Sequence, residues 1–188
     1  MIRFSAAARA VPVLVALAVA FAAPAARAEL HLDITRGQVQ PMPIAIPDFA
    51  GVDEGQQLGR DITQVMSADL ERSGLFKPLD PRAFIDKDAA TRTPPNYANW
   101  RILNAQALIT GNVSVQPDGR VAVEFRLWDI YAEQQLTGLR YTATRQNWRR
   151  IAHIVADAIY KRITGEDGYF DTRIVYIAES GPQNRRIK

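Results

Sequence analysis

Residues 107–127 restrict the fold more than any other stretch of the chain. Ala107, Ile109, Gly111, Val113 and Val115 recur at every second position, and Pro117-Asp118-Gly119 then turns the chain. Val121, Val123, Phe125 and Leu127 repeat the spacing on the return. A period of two puts these residues on one face of a strand pair. Glu124 and Arg126 occupy the opposite face of the second strand, so that face is expected to be wet and the pair antiparallel. Leu139, Tyr141 and Ala143 suggest a third strand.

A sheet with one apolar face needs a cover, and the flanking sequence supplies two. From about Asp53 to Ser73, the residues Leu58, Ile62, Val65, Met66 and Leu70 recur at helical spacing, with only Asp69 breaking the stripe. Gly74 sits where a left-handed cap ends a helix, with Leu75 and Phe76 as a capping contact. A second helix is expected from about Asn147, a plausible N-cap, to Thr164, with Ile151, Val155, Ile159 and Ile163 on one stripe and Gly165 as the stop. These elements predict a two-layer α+β domain, a mixed sheet with both main helices on one face. Ile44–Phe49 reads as a further short strand whose Pro47 hints at a free edge, and residues 77–99 as irregular connections with one helical turn.

The first 28 residues belong to another class. Arg3 and Arg9 precede an apolar run from Val11 to Ala23 that is too short to span a bilayer, Pro24 breaks it, and Ala26-Arg27-Ala28 presents small residues where a signal peptidase reads. Cleavage after Ala28 would make Glu29 the new amino terminus. It would free an alternating segment, Glu29-Leu30-His31-Leu32-Asp33-Ile34-Thr35-Arg36, ahead of an extended linker that contains Pro41 and Pro43. Such a segment can add a strand to a foreign sheet edge, with Leu30, Leu32 and Ile34 pointing one way. The plainer alternative is an edge strand of its own domain. The expected organisation is thus a leader over 1–28, a partner-binding segment and linker over 29–43, the α+β domain over 44–165, and a connection with a fresh strand over 166–188.

Composition narrows the function. The chain has no cysteine, which rules out disulfides, thiol catalysis and a lipidated N-terminal cysteine. Three of its 23 basic residues, Arg3, Arg9 and Arg27, lie in the leader, and the remainder balances the 20 acidic ones. A neutral mature chain is a poor candidate for nucleic-acid binding or for a charged membrane surface. The two histidines, His31 and His153, stand apart in sequence, so no metal or cofactor is expected; His153, beside the apolar stripe of the second helix, reads as a surface or helix-bonded residue. Asp53-Glu54 and Glu166-Asp167 suit helix capping and solvation. Trp100, Trp128 and Trp148 read as core or rim aromatics, with Trp128 on the wetter sheet face, where it is a candidate for a contact surface. The competing functional class is a small exported hydrolase or ligand-binding domain, against which stands the lack of a nucleophile–base–acid set.

Several stretches carry a resemblance. Asp61 to Asp80, Trp100 to Gly111, Val123 to Asp129, and Asn147-Trp148-Arg149-Arg150-Ile151-Ala152-His153 through Gly165 to Ser180-Gly181 resemble the N-terminal portion of the TolB family, a periplasmic component of the Tol-Pal system. The resemblance implies a domain like the anticodon-binding fold of some tRNA synthetases, followed by a six-bladed β-propeller whose first strand would begin near the end of this chain. It implies a non-enzymatic role in outer-membrane integrity, in constriction at cell division and in protein import. It also implies two partners: the C-terminal domain of TolA, met by Glu29 to about Gly37, and the lipoprotein Pal, met mostly by the propeller.

Intact mass and N-terminal sequencing of the exported protein are expected to find Glu29 first. A mature chain that begins elsewhere, or keeps its leader, contradicts the reading of Ala26 and Ala28.

Overall fold

A computed structural model describes residues 40–86, 89–91, 93–172, 177–179 and 185–187. The expected leader, Glu29–Arg36 and most of the linker lie outside the described residues. Among the described residues, eight strands and three α-helices follow in chain order: β1 (Met42–Ala45), β2 (Ala50–Gly51), α1 (Glu54–Arg72), β3 (Phe76–Pro78), α2 (Tyr97–Ile102), β4 (Ala107–Val115), β5 (Arg120–Asp129), β6 (Gln134–Thr144), α3 (Trp148–Thr164), β7 (Ile177–Glu179) and β8 (Arg185–Ile187).

The main sheet runs β3-β1-β4-β5-β6, with β2 also paired to β4. β1 is parallel to β3 and β4, β2 is parallel to β4, and β4-β5-β6 form an antiparallel meander. The sheet is therefore mixed, as the sequence suggests. The alternation maps onto it directly, because Ile109 pairs with Leu127, Gly111 with Phe125 and Val113 with Val123. Gly119, at φ 79°, makes the turn between these strands.

Both long helices cover the same face. Leu58, Ile62, Met66 and Leu70 of α1 and Ile151, Val155, Ile159 and Ile163 of α3 join Ile109, Val123, Phe125 and Leu127 in one buried core. Each fully buried aliphatic side chain there contributes about 1.5–3 kcal/mol. A close approach fixes where α1 lies: a Cβ on Gly59 would come within 2.2 Å of the Phe49 carbonyl oxygen. Gly74 (φ 74°) and Gly165 (φ 80°) end the two helices in the left-handed region, where glycine carries no steric cost. The expected N-caps are not realised, since neither the Asp53 nor the Asn147 side chain bonds to its helix. Glu54 instead pairs with Arg145, in the short turn that precedes α3.

Three further expectations need correction. The first strand begins at Met42, inside the stretch read as linker, and it is interior to the sheet. Pro43 is tolerated there because β4 starts only at Ala107; the Pro43 carbonyl still accepts from the Gln106 N–H at 2.9 Å. The strand ends before Pro47, whose missing N–H therefore marks no edge. Phe76 is not merely a capping contact but opens β3, an edge strand of three residues, too short for alternation to reveal.

The other sheet face is the third correction, because half of it is dry. Trp100 of α2 packs with Phe84, Leu108, Trp128 and Ile130 in a second, smaller core. Trp128 is only 4% exposed, and its indole N–H donates to Thr110 Oγ1 at 2.9 Å, so it joins no contact surface. Glu124 and Arg126, further along the same face, are half-exposed and paired with each other at 2.5 Å. Near the chain end, β7 pairs antiparallel with β8 in a separate sheet rather than with β1–β6. Arg185–Ile187 is thus the second strand of a two-stranded sheet.

Urea unfolding gives a direct check on the second core. Trp100→Ala is expected to cost about 3–5 kcal/mol, Trp128→Phe about 1 kcal/mol through its lost hydrogen bond, and the exposed Ile102→Ala less than about 0.5 kcal/mol.

Candidate partner-binding surface

Every residue that the sequence assigns to partner binding, Glu29 to Arg36, lies outside the described residues, as do the cleavage positions Ala26 and Ala28. The described part of the chain offers surfaces of its own, and two of them flank the long helices.

The larger is a groove of about 1000 Å³ between β6, α3 and the segment after α3. It lies where α3 packs on β6, the last strand of the sheet, and leaves part of that strand's helix-side face uncovered. Leu139 and Tyr141 lie opposite Phe125 and Val123 on the helix-side face, yet Leu139 remains 42% exposed. Ile154 and Ala158 form the helix wall, and Asp157, Lys161 and Asp167 give it a charged rim. Tyr141 stacks on Phe125 at 6.4 Å, and burial pushes its phenol up. Lys161 reaches Asp167 at 2.6 Å; that hydrogen bond raises the ammonium and lowers the carboxyl relative to their ordinary values. Arg162 donates from Nε to the Leu136 carbonyl at 3.1 Å and ties α3 to the start of β6. Beyond the groove, β6 presents the edge of an eleven-residue strand, the kind of edge to which another strand can add.

The smaller surface is a cleft of about 550 Å³ between α1 and the turn after β3. Its charges are mostly spoken for: Arg82 pairs with Asp80 at 2.7 Å, and Arg60 donates to Gln57 at 2.6 Å. Thr63, the buried hydroxyl of this cleft, accepts from the Phe49 backbone N–H at 3.1 Å. These are structural bonds, and no histidine lines the cleft.

The structure also finds His153 a partner that lies far off in sequence. Its Nδ1 stands 2.5 Å from Oδ2 of Asp69, the one polar break in the α1 stripe. Asp69 is 2% exposed, and its other oxygen accepts from Arg72 at 3.0 Å. The pair joins the two covering helices. Among the described residues no group of three His, Cys, Asp or Glu side chains is placed to hold a metal ion, and no helix is long and apolar enough to cross a membrane.

The family model of the TolB amino-terminal domain matches residues 30–136. The chain belongs to the TolB family. A Tol-Pal system protein TolB from Paramagnetospirillum magneticum is 58% identical over 177 residues, covering 94% of this chain and 39% of the relative. Among solved structures, TolB from Acinetobacter baumannii superposes with a TM-score of 0.63 at 28% identity, over 79% of this chain and 35% of that one. The chain thus spans well under half the length of the TolB proteins it matches. The α+β architecture of this TolB-family chain agrees with that solved relative.

A double-mutant cycle measures what Asp69 and His153 do for one another. His153→Ala alone is expected to destabilise more than it does in an Asp69→Asn background, with a coupling of about 0.5–3 kcal/mol. Additive effects would show that the short contact joins the helices with no energetic consequence.

Proposed function

We propose that this chain is the N-terminal interaction module of a Tol-Pal system TolB, exported to the periplasm and without enzymatic activity. The observation that carries the reading is the 58% identity to a Tol-Pal system TolB over 94% of the chain. In this reading residues 1–28 are removed on export, and Glu29–Arg36 become a free strand for the C-terminal domain of TolA. The α+β domain over 44–165 acts as the platform, and residues 166–188 lead into the part of TolB that meets Pal. The module then serves outer-membrane integrity, constriction of the outer membrane at division, and protein import. The competing hydrolase reading gains little from the cleft on α1, where Arg82, Asp80 and the Thr63 hydroxyl are engaged in structural bonds.

Magnitudes suit a link that is made and released. Burying Leu30, Leu32 and Ile34 on a partner contributes about 5–9 kcal/mol, with about 1 kcal/mol net for each well-made backbone hydrogen bond. Association and ordering oppose this with about 4–15 kcal/mol. The balance is weak to moderate affinity.

Titration calorimetry of the exported protein against the TolA C-terminal domain tests the proposal. Deleting Glu29–Arg36 is expected to abolish binding while moving the thermal midpoint little. Undiminished affinity after the deletion removes the assignment.

A further inference from the structure

Gly165-Glu166-Asp167-Gly168-Tyr169-Phe170-Asp171-Thr172 has the composition of a flexible linker, with two glycines and three acidic residues. Its placement is different. After the left-handed turn at Gly165, the chain doubles back along α3 instead of leaving it. Asp167 meets Lys161 at 2.6 Å, Phe170 and Asp171 meet Asp157, and Asp171 meets Arg150 at 3.1 Å. The partners thus step from the C-terminal towards the N-terminal end of the helix as the segment advances. Lys161 and Arg150 are separated by about 16 Å along a helix axis, and an extended run of five residues reaches about that far.

The centre of this arrangement is one carboxylate. Asp157 Oδ1 accepts the backbone N–H of Phe170 at 2.8 Å, and Oδ2 accepts that of Asp171 at 3.0 Å. Gly168 lies so close that a Cβ there would stand 2.2 Å from Asp157 Oδ1 and 2.5 Å from its Cα. Contact this tight leaves room for glycine alone. On either side the rings of Tyr169 and Phe170 pack on Tyr160 at 5.6 and 5.9 Å, and Tyr160 packs on Phe76 of the sheet edge at 6.3 Å. Backbone, rings and both ends of the segment are therefore fastened to the same helix.

We infer that residues 166–171 are a fixed strap rather than a linker, with Asp157 as the residue that positions it. The strap fixes the position of the chain at Asp171 relative to α3. It also supplies one wall of the groove beside β6, through Asp167 and Gly168. Detaching it would change the chain's position at Asp171 and the groove together.

Nuclear magnetic resonance on the full chain tests this. Backbone order parameters at Gly168–Asp171 are expected to match those of α3, near 0.85, the value of rigid backbone. Asp157→Ala and Gly168→Ala are each expected to speed amide exchange at Phe170 and Asp171 by at least about tenfold, with Val155 and Ile159 still protected. Lys161→Ala, which removes only an exposed ion pair, is expected to change exchange there by less than about threefold. If Asp157→Ala fails to fold, Gly168→Ala carries the comparison with the helix sequence intact. Order parameters below about 0.6 in the unaltered chain, or exchange at Phe170 and Asp171 unmoved by either substitution, would overturn the inference.

Discussion

Two helices side by side span about four strands, because packed helices sit about 10 Å apart and strands about 4.8 Å apart. The main sheet is five strands wide, β3-β1-β4-β5-β6, and its helix-side face is mostly apolar, with Thr137 of β6 a polar position opposite Leu127. Covering that face takes both α1 and α3, and most of what distinguishes the molecule follows from the mismatch. The helices must lie against each other, which brings Asp69 of one within reach of His153 on the other. The strand left at the margin is β6, and the groove beside Leu139 and Tyr141 is the uncovered remainder of the face. At the opposite margin β3 is three residues long, so little edge is left exposed there.

The reverse face of the sheet has a different solution. One helix of six residues and the turns around it bury Leu108, Trp128 and Ile130 beneath Trp100 and Phe84. The rest of that face carries polar pairs such as Glu124 and Arg126. The two cores share β4 and β5. These strands are therefore apolar on both sides where α2 lies and apolar on one side beyond it, which accounts for Leu108 interrupting an otherwise clean alternation.

What the sequence makes legible is what depends on period. The meander, the two long helices, their glycine stops and the choice of layers follow from spacings of two and of three to four residues. What it hides is short or distant. β3 has too few residues to show a pattern, and the sequence places Pro43 in a linker although its carbonyl serves the sheet. The dry half of the second face rests on Phe84 and Trp100, which are isolated in sequence and meet only in the fold at 5.1 Å. Asp69 is visible as a break in a stripe, but its meaning requires His153, 84 positions away. Asp157 shows no signal, since its partners are backbone N–H groups. The α+β domain from Met42 onward is legible through periodicity. The segment proposed to reach a partner, Glu29–Arg36, rests on a short alternation alone, and the functional reading depends on that proposal.

The most direct measurement of that central claim is the set of nuclear Overhauser contacts between isotope-labelled residues 29–36 and an unlabelled TolA C-terminal domain. The account predicts cross-strand contacts at alternate backbone positions, with the methyls of Leu30, Leu32 and Ile34 all facing the partner. Contacts confined to other residues of this chain, or partner contacts from the α+β domain alone, would contradict it.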